Sequence, residues 1–226
     1  MKLYKKMSPQ QKSLIAEHGF GGLLNIGNAT LPAELSKWLM WNFDPESSEL
    51  HIPGRGRIGV SADSVHNVLG LPMGTGKVIY EFNGSAINFI NGLYGLDNGN
   101  APPITSIVKR LEDNKQANDD YLRSWLMIAV STFLCPSTSL TISPKCYPSL
   151  VELDAVKDLN WCQFVVDSLK ISAMKMTKRK SVHGCLFYLV VSIICFFFYV
   201  CCLMHNAMSW TDMHFYLLLL SNRYYI

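Results

Sequence analysis

Apolar residues in the first 184 positions recur mostly at steps of three and four, with little alternation at period two. This predicts a mainly α, compact multi-helix domain with a small β-hairpin, followed by an apolar C-terminal helix. Ser8-Pro9 opens the first helix: Ser offers an acceptor to the free amides of the first turn, and Pro at the first helical position removes no needed donor. That helix runs to about His18, and Gly19 stops it. Leu31-Pro32 opens the next, in which Leu35, Trp38, Leu39 and Phe43 make one apolar face before Asp44-Pro45 ends it. Leu50 and Ile52 alternate with polar neighbours, as do Ile58 and Val60, so Glu49 to Val60 reads as a hairpin turning near Gly54 and Gly56. Ser61 caps a helix carrying Val65, Val68 and Leu69, closed by Gly70 and Pro72. Asn118-Asp119-Asp120 caps another to about Leu134, whose Trp125, Leu126, Ile128, Ala129, Val130 and Phe133 leave almost no polar face, so it is the expected central helix. Asn160 precedes Trp161, Phe164, Val165 and Leu169, with Gln163, Asp167 and Lys170 opposite, the pattern of a helix at the core's edge.

Composition divides the chain in two. Residues 185–226 contain only Asp212 and Arg223 as charges, although 16% of all 226 residues are charged. The expected organisation is a basic leader over 1–7, a helical domain over 8–184 and an apolar tail over 185–226. Lys175, Lys178, Arg179 and Lys180 mark the join and form the one candidate contact patch, read either as a solvated helix end or as a nuclear-import or phosphate-contacting cluster. No aromatic is interleaved with it as a single-strand platform needs. The twenty residues from Cys185 to Met204 carry no charge and would span ~30 Å as a helix, so they are a candidate membrane span. Met213 to Leu220 adds a shorter apolar run.

The overall charge of +3 demands neither nucleic acid nor anionic lipid. Seven irregularly spaced cysteines with no secretory leader at Met1 to Lys6 point to a reducing compartment. Gly54-Arg55-Gly56-Arg57-Ile58-Gly59 has the letters of a dinucleotide fingerprint, but strand continues where a helix must open, so a hairpin turn is expected. Gly70 to Val78 resembles a phosphate-binding loop, with one residue too many between the outer glycines and Val78 at the hydroxyl position. A glycine-rich connection is expected there. Cys135, Cys146 and Cys162 lack paired-ligand spacing and read as buried thiols, and no metal or cofactor is expected. Cys162 with His18, His51, His66 or His183 offers the types of a nucleophile and base, without a motif to lower the thiol's pKa.

The order of several short blocks resembles grass proteins of the plant mobile domain group. These are Ser8-Pro9-Gln10-Gln11-Lys12, Phe20-Gly21-Gly22-Leu23-Leu24, Asn42-Phe43-Asp44-Pro45, Ile52-Pro53-Gly54-Arg55-Gly56 and Val65-His66-Asn67-Val68-Leu69-Gly70-Leu71-Pro72. Asn118 to Met127, Phe133-Leu134-Cys135-Pro136, Leu159 to Val165 and Gly184-Cys185-Leu186 continue the series. The resemblance implies a transposon-derived, non-catalytic interaction module in the nucleus, linked to silencing or transposon control through a protein partner, with nucleic acid as the second partner class. Longer members add a SUMO-protease-like domain, which this chain lacks room for. The group's "aminotransferase-like" label implies a pyridoxal-phosphate enzyme as the rival, but no lysine here is marked for that cofactor. A membrane location through 185–204 is the remaining alternative. The blocks end near Val190, and Val191-Ser192 is what a common splice-donor sequence, GTAAGT, encodes in frame. Residues from Val191 onward therefore also read as translated intron.

Overall fold

A computed structural model describes residues 6–26, 31, 33–96, 101–136, 139–179 and 184–204. Helix α1 (Pro9–Glu17) begins as its sequence dictates. Ser8 Oγ accepts from the Gln11 amide at 3.2 Å, and the Gln11 side chain accepts from the Ser8 amide at 2.9 Å, so two orphan donors are satisfied reciprocally. A 3-10 turn at Gly21–Asn25 leads towards α2 (Ala33–Trp41). The leader's end is tied down: Met7 is buried, and Lys6 pairs with Glu112 at 2.9 Å.

Phe43 is not on the α2 face where spacing puts it. The helix stops at Trp41, the Asn42 side chain donates back to the Trp38 carbonyl at 2.8 Å, and Phe43–Asp44 becomes strand β1. A residue before proline is pushed out of helical backbone, so Asp44 ahead of Pro45 is extended. β1 pairs antiparallel with β2 (Glu49–Ile52), Phe43 opposite Leu50, and β2 pairs with β3 (Gly56–Gly59), Leu50 opposite Ile58. The expected hairpin is thus part of a three-stranded meander that buries Phe43, Leu50 and Ile52. α3 (Ala62–Leu69) starts at the Ser61 cap and ends on Gly70 in left-handed conformation.

Sequence patterning passed over the next two helices. α4 (Gly84–Tyr94) is capped by Asn83, whose side chain accepts from the Ala86 amide at 3.0 Å, and it contains no charge to set a polar face against an apolar one. α5 (Ile104–Asp113) buries Ile107 and Leu111. The central helix α6 (Asp119–Ala129) has every side chain from Tyr121 to Ala129 buried. It widens into a π-turn at Val130–Leu134, and so reaches the residue where patterning ends it. Arg123, also buried, spends its charge on backbone: Nε donates to the Leu150 carbonyl at 2.9 Å and Nη2 to Val151 at 3.2 Å. These carbonyls belong to the last residue and the C-cap of a 3-10 stretch at Pro144–Leu150.

α7 (Trp161–Arg179) is deeper than an edge helix, because α2, α3 and β1 all pack on it. Its Trp161, Cys162, Val165 and Leu169 are sealed from solvent. Phe20 wedges between α6 and α7, its ring 6.1 Å from Trp125 and 5.5 Å from Trp161 in edge-to-face geometry. α8 (Leu186–Met204) packs its first turns against α2, α3 and β3, burying Tyr188, Leu189, Ser192 and Ile193. The composition break at residue 185 is therefore not a break in the core.

Two backbone crossings have no room for a side chain. A Cβ on Gly22 would stand 2.1 Å from the Leu69 carbonyl oxygen, and one on Gly74 would stand 2.0 Å from that of Asp158. At the second crossing Gly76 donates to the Asp158 carbonyl at 2.9 Å and Trp161 to that of Pro72 at 3.1 Å, so a strand-like seam leads into α7. We expect Gly74→Ala to cost about 2–4 kcal/mol by forcing this seam apart. Gly92→Ala, on exposed helix with open space around the new methyl, should instead gain about 0.5–1 kcal/mol. Urea denaturation of both variants measures the contrast.

Candidate functional site

The basic cluster comes from the end of α7. Lys175 is exposed, Lys178 and Arg179 occupy the last helical turn, and Lys180 lies outside the described residues. Cations near a helix C-terminus face the negative end of its dipole, which accounts for this run without a ligand. Exposed Ile171 and Met174 share the helical spacing of exposed Lys175, so the stripe is part apolar and part basic.

The glycine motifs resolve into structure. Gly54 and Gly56 carry positive φ at the β2–β3 turn, where the Arg55 amide donates to the Ile52 carbonyl at 2.9 Å, and Arg57 continues into β3 beside Glu49 at 3.2 Å. In the Gly70–Val78 stretch the amides of Gly74 and Gly76 are already bonded to Leu159 and Asp158, leaving neither for a phosphate.

Among the described residues, Cys162 and His66 are the candidate nucleophile and base that the fold brings together, and it spends both on the same acceptor. The Leu71 carbonyl takes the His66 ring Nδ1 at 2.7 Å and the Cys162 thiol at 3.4 Å. Burial, with the Asp63 carboxylate adding to it, pushes the Cys162 thiol up to about 12. A thiol so protonated is a hydrogen-bond donor and not a nucleophile. Burial likewise holds Cys146 and Cys185 at about 12. His18 points its Nδ1 at the Leu14 carbonyl, 2.7 Å away, and His51 lies 3.6 Å from Glu49 on the sheet. His183 lies outside the described residues. Among the described residues no three of His, Cys, Asp and Glu gather as metal ligands, and no described lysine is buried.

Tyr188 shows how α8 is attached. Ser64 Oγ donates to the Ser61 carbonyl at 2.8 Å and accepts from the Ser61 amide at 2.8 Å, so in the 2.6 Å contact with Tyr188 the tyrosine hydroxyl is the donor. Phe196 extends the packing to β3, where its ring tip would touch a Cβ on Gly56 at 3.8 Å. Cys185 to Phe196 thus serves the domain, and among the described residues no helix is long and apolar enough to cross a membrane.

A mainly helical domain with a small antiparallel sheet is the class these features define. The chain belongs to the family described as Domain of unknown function (DUF8566), whose model matches residues 1–190. No curated protein and no solved structure matches it.

The raised thiols have a measurable consequence. Folding holds Cys146, Cys162 and Cys185 neutral, so their contribution is intact below pH ~9, the unfolded value, and is lost as pH rises towards about 12. Tyr94 and Tyr121, raised by burial from 10.0 to about 12, act in the same direction. We expect the urea midpoint to fall steadily between pH 9 and 11. In the native protein the exposed Cys195 should react with an aromatic disulfide at least ~100-fold faster than these three buried thiols.

Proposed function

We propose that this chain is a non-catalytic interaction module of the plant mobile domain type, transposon-derived and working in the nucleus through a protein partner. One observation carries the reading: the groups with chemical potential are committed to structure. Cys162 and His66 donate to one carbonyl, Arg123 to two, and the glycine loops to a backbone seam. No described lysine is buried, whereas a pyridoxal-phosphate lysine needs an enclosing pocket that lowers its pKa. The full chain mixed with pyridoxal phosphate and dialysed should retain no Schiff-base absorbance. A stoichiometric, borohydride-trapped adduct on one lysine overturns the reading in favour of the enzyme.

Exposed Lys175 near the end of α7, with the basic residues that follow it in sequence, is what supports nucleic acid as the second partner class. If the chain binds duplex DNA, affinity falls steeply with salt and vanishes on neutralising Lys175, Lys178, Arg179 and Lys180 together. Unchanged binding in that variant removes the patch from consideration.

For the tail we propose translated intron from Val191 onward, supported by the family match ending at residue 190, next to the splice-donor-like Val191-Ser192. Buried Ser192 and Ile193, packed on the domain, stand against this reading, which rests on the family match and the Val191-Ser192 signal. A spliced transcript that skips this stretch supports it. A stable 226-residue product that resists carbonate extraction overturns it in favour of a membrane anchor.

A further inference from the structure

The outward positions of α4 are Ser85, Asn88, Phe89, Gly92 and Leu93, spaced by three and four, and the helix contains no charged residue. Phe89 and Leu93 are each 44% exposed, and Phe82, just ahead of the Asn83 cap, is 67% exposed. A helix face on a solvated surface ordinarily carries charge. Here its place is taken by large apolar side chains at the spacing that grips a second helix.

Two cations border this face. Lys145 Nζ stands 5.2 Å from the centre of the Phe82 ring, and the Arg123 guanidinium stands 5.7 Å from that of Phe89. Both are anchored through one neighbour, the Pro144–Leu150 stretch, which contains Lys145, packs on α4 and supplies the Leu150 carbonyl that holds Arg123. Neither cation has a carboxylate within ion-pair distance among the described residues, and exposed Glu81, next to Phe82 in the chain, does not pair with Lys145. Arg123 is buried, so the charge this surface offers at its edge is that of half-exposed Lys145.

We propose that α4, with Phe82 and Lys145, is the docking surface for an acidic amphipathic helix of a partner protein. Apolar side chains of that helix lie on Phe82, Phe89 and Leu93, and a carboxylate meets Lys145. The inference rests on the interaction-module reading and gives it a location. Charge complementarity selects the occupant: Lys145 attracts a carboxylate and repels a basic helix, and its placement at the rim makes binding sensitive to salt.

The test uses the full chain and two fluorescent 14-residue helical peptides, each with Leu at three- and four-residue steps, one with Glu and one with Lys at the remaining positions. The acidic peptide should bind with Kd on the order of 10–100 µM, and the basic one at least ~10-fold more weakly. Phe82→Ser combined with Phe89→Ser should weaken the acidic peptide ~10-fold or more, and Lys145→Glu should reverse the preference. Circular dichroism melting establishes that each variant is folded; Lys145→Glu, at a half-buried surface position, keeps the test decisive should the double variant unfold. Equal binding of the two peptides, or indifference to Lys145→Glu, overturns the proposal. So does a self-association in sedimentation that Phe89→Ser abolishes, which would assign the face to a second copy. A nuclear partner bound equally well by Lys145→Glu would sink this surface and leave the module reading standing, whereas a trapped pyridoxal-phosphate adduct would remove the module reading itself.

Discussion

Backbone meeting backbone with nothing between them sets the spacing of the whole domain. At Gly74 the chain passes so close to Asp158 that a single methyl group would overlap its carbonyl, and at Gly22 the same holds for Leu69. Each crossing joins segments far apart in sequence. The first brings the connection after α3 against the entry to α7, and the Trp161 amide, bonded to Pro72, is thereby fixed before the helix begins. The second brings the turn after α1 against the end of α3, and Phe20, two residues before Gly22, is held between Trp125 and Trp161. Widening either crossing moves an aromatic ring out of a close-packed cluster, where even small gaps forfeit dispersion contacts. The glycines are thus a condition of the core as much as of the loops.

The interior also treats polar groups in a consistent way. Arg123, Cys162 and His66 all reach backbone carbonyls at or just past the ends of helical segments, places where the chain itself leaves acceptors unpaired. A buried guanidinium is costly unless its protons are bonded, and the Leu150 and Val151 carbonyls supply those bonds with the partial negative charge of a chain end. Placing such groups at carbonyls lets loops of irregular backbone close over a helical core. For Cys162 the same placement, with burial raising its pKa, keeps the thiol protonated as a donor.

How much of this is legible in the chain depends on whether the signal is local. Helix starts are: Ser8, Ser61, Asn118 and Asn160 each bind an amide within three residues, so residue type and position suffice. The hairpin at Gly54 and Gly56 is legible for the same reason. Phe43 is misread because apolar spacing cannot see the Asn42 side chain closing α2 early or the strand partner Leu50. α4 escapes because a helix without charge has no polar face to contrast with its apolar one. The basic run is legible as composition, but its address at the C-terminal end of α7 gives it a structural account as well. The seam at Gly74 and the carbonyl partners of Arg123 are long-range, and no periodicity records them.

The tail shows why hydropathy and packing must be read together. Counting charges alone draws a boundary at Cys185 and offers the next twenty residues to a bilayer. A helix face cannot be solvated by lipid and enclosed by protein at once, and the first turns of α8 are enclosed. Tyr188 gives its proton to the Ser64 hydroxyl at the cap of α3, while Leu189 and Ile193 fill the core beside it. Burying two such aliphatic side chains is worth about 3–6 kcal/mol, comparable with the whole net stability of many domains. Pulling Cys185 to Ile193 into a membrane would therefore open the domain, so a bilayer could not take up these turns of α8 while the domain stays closed.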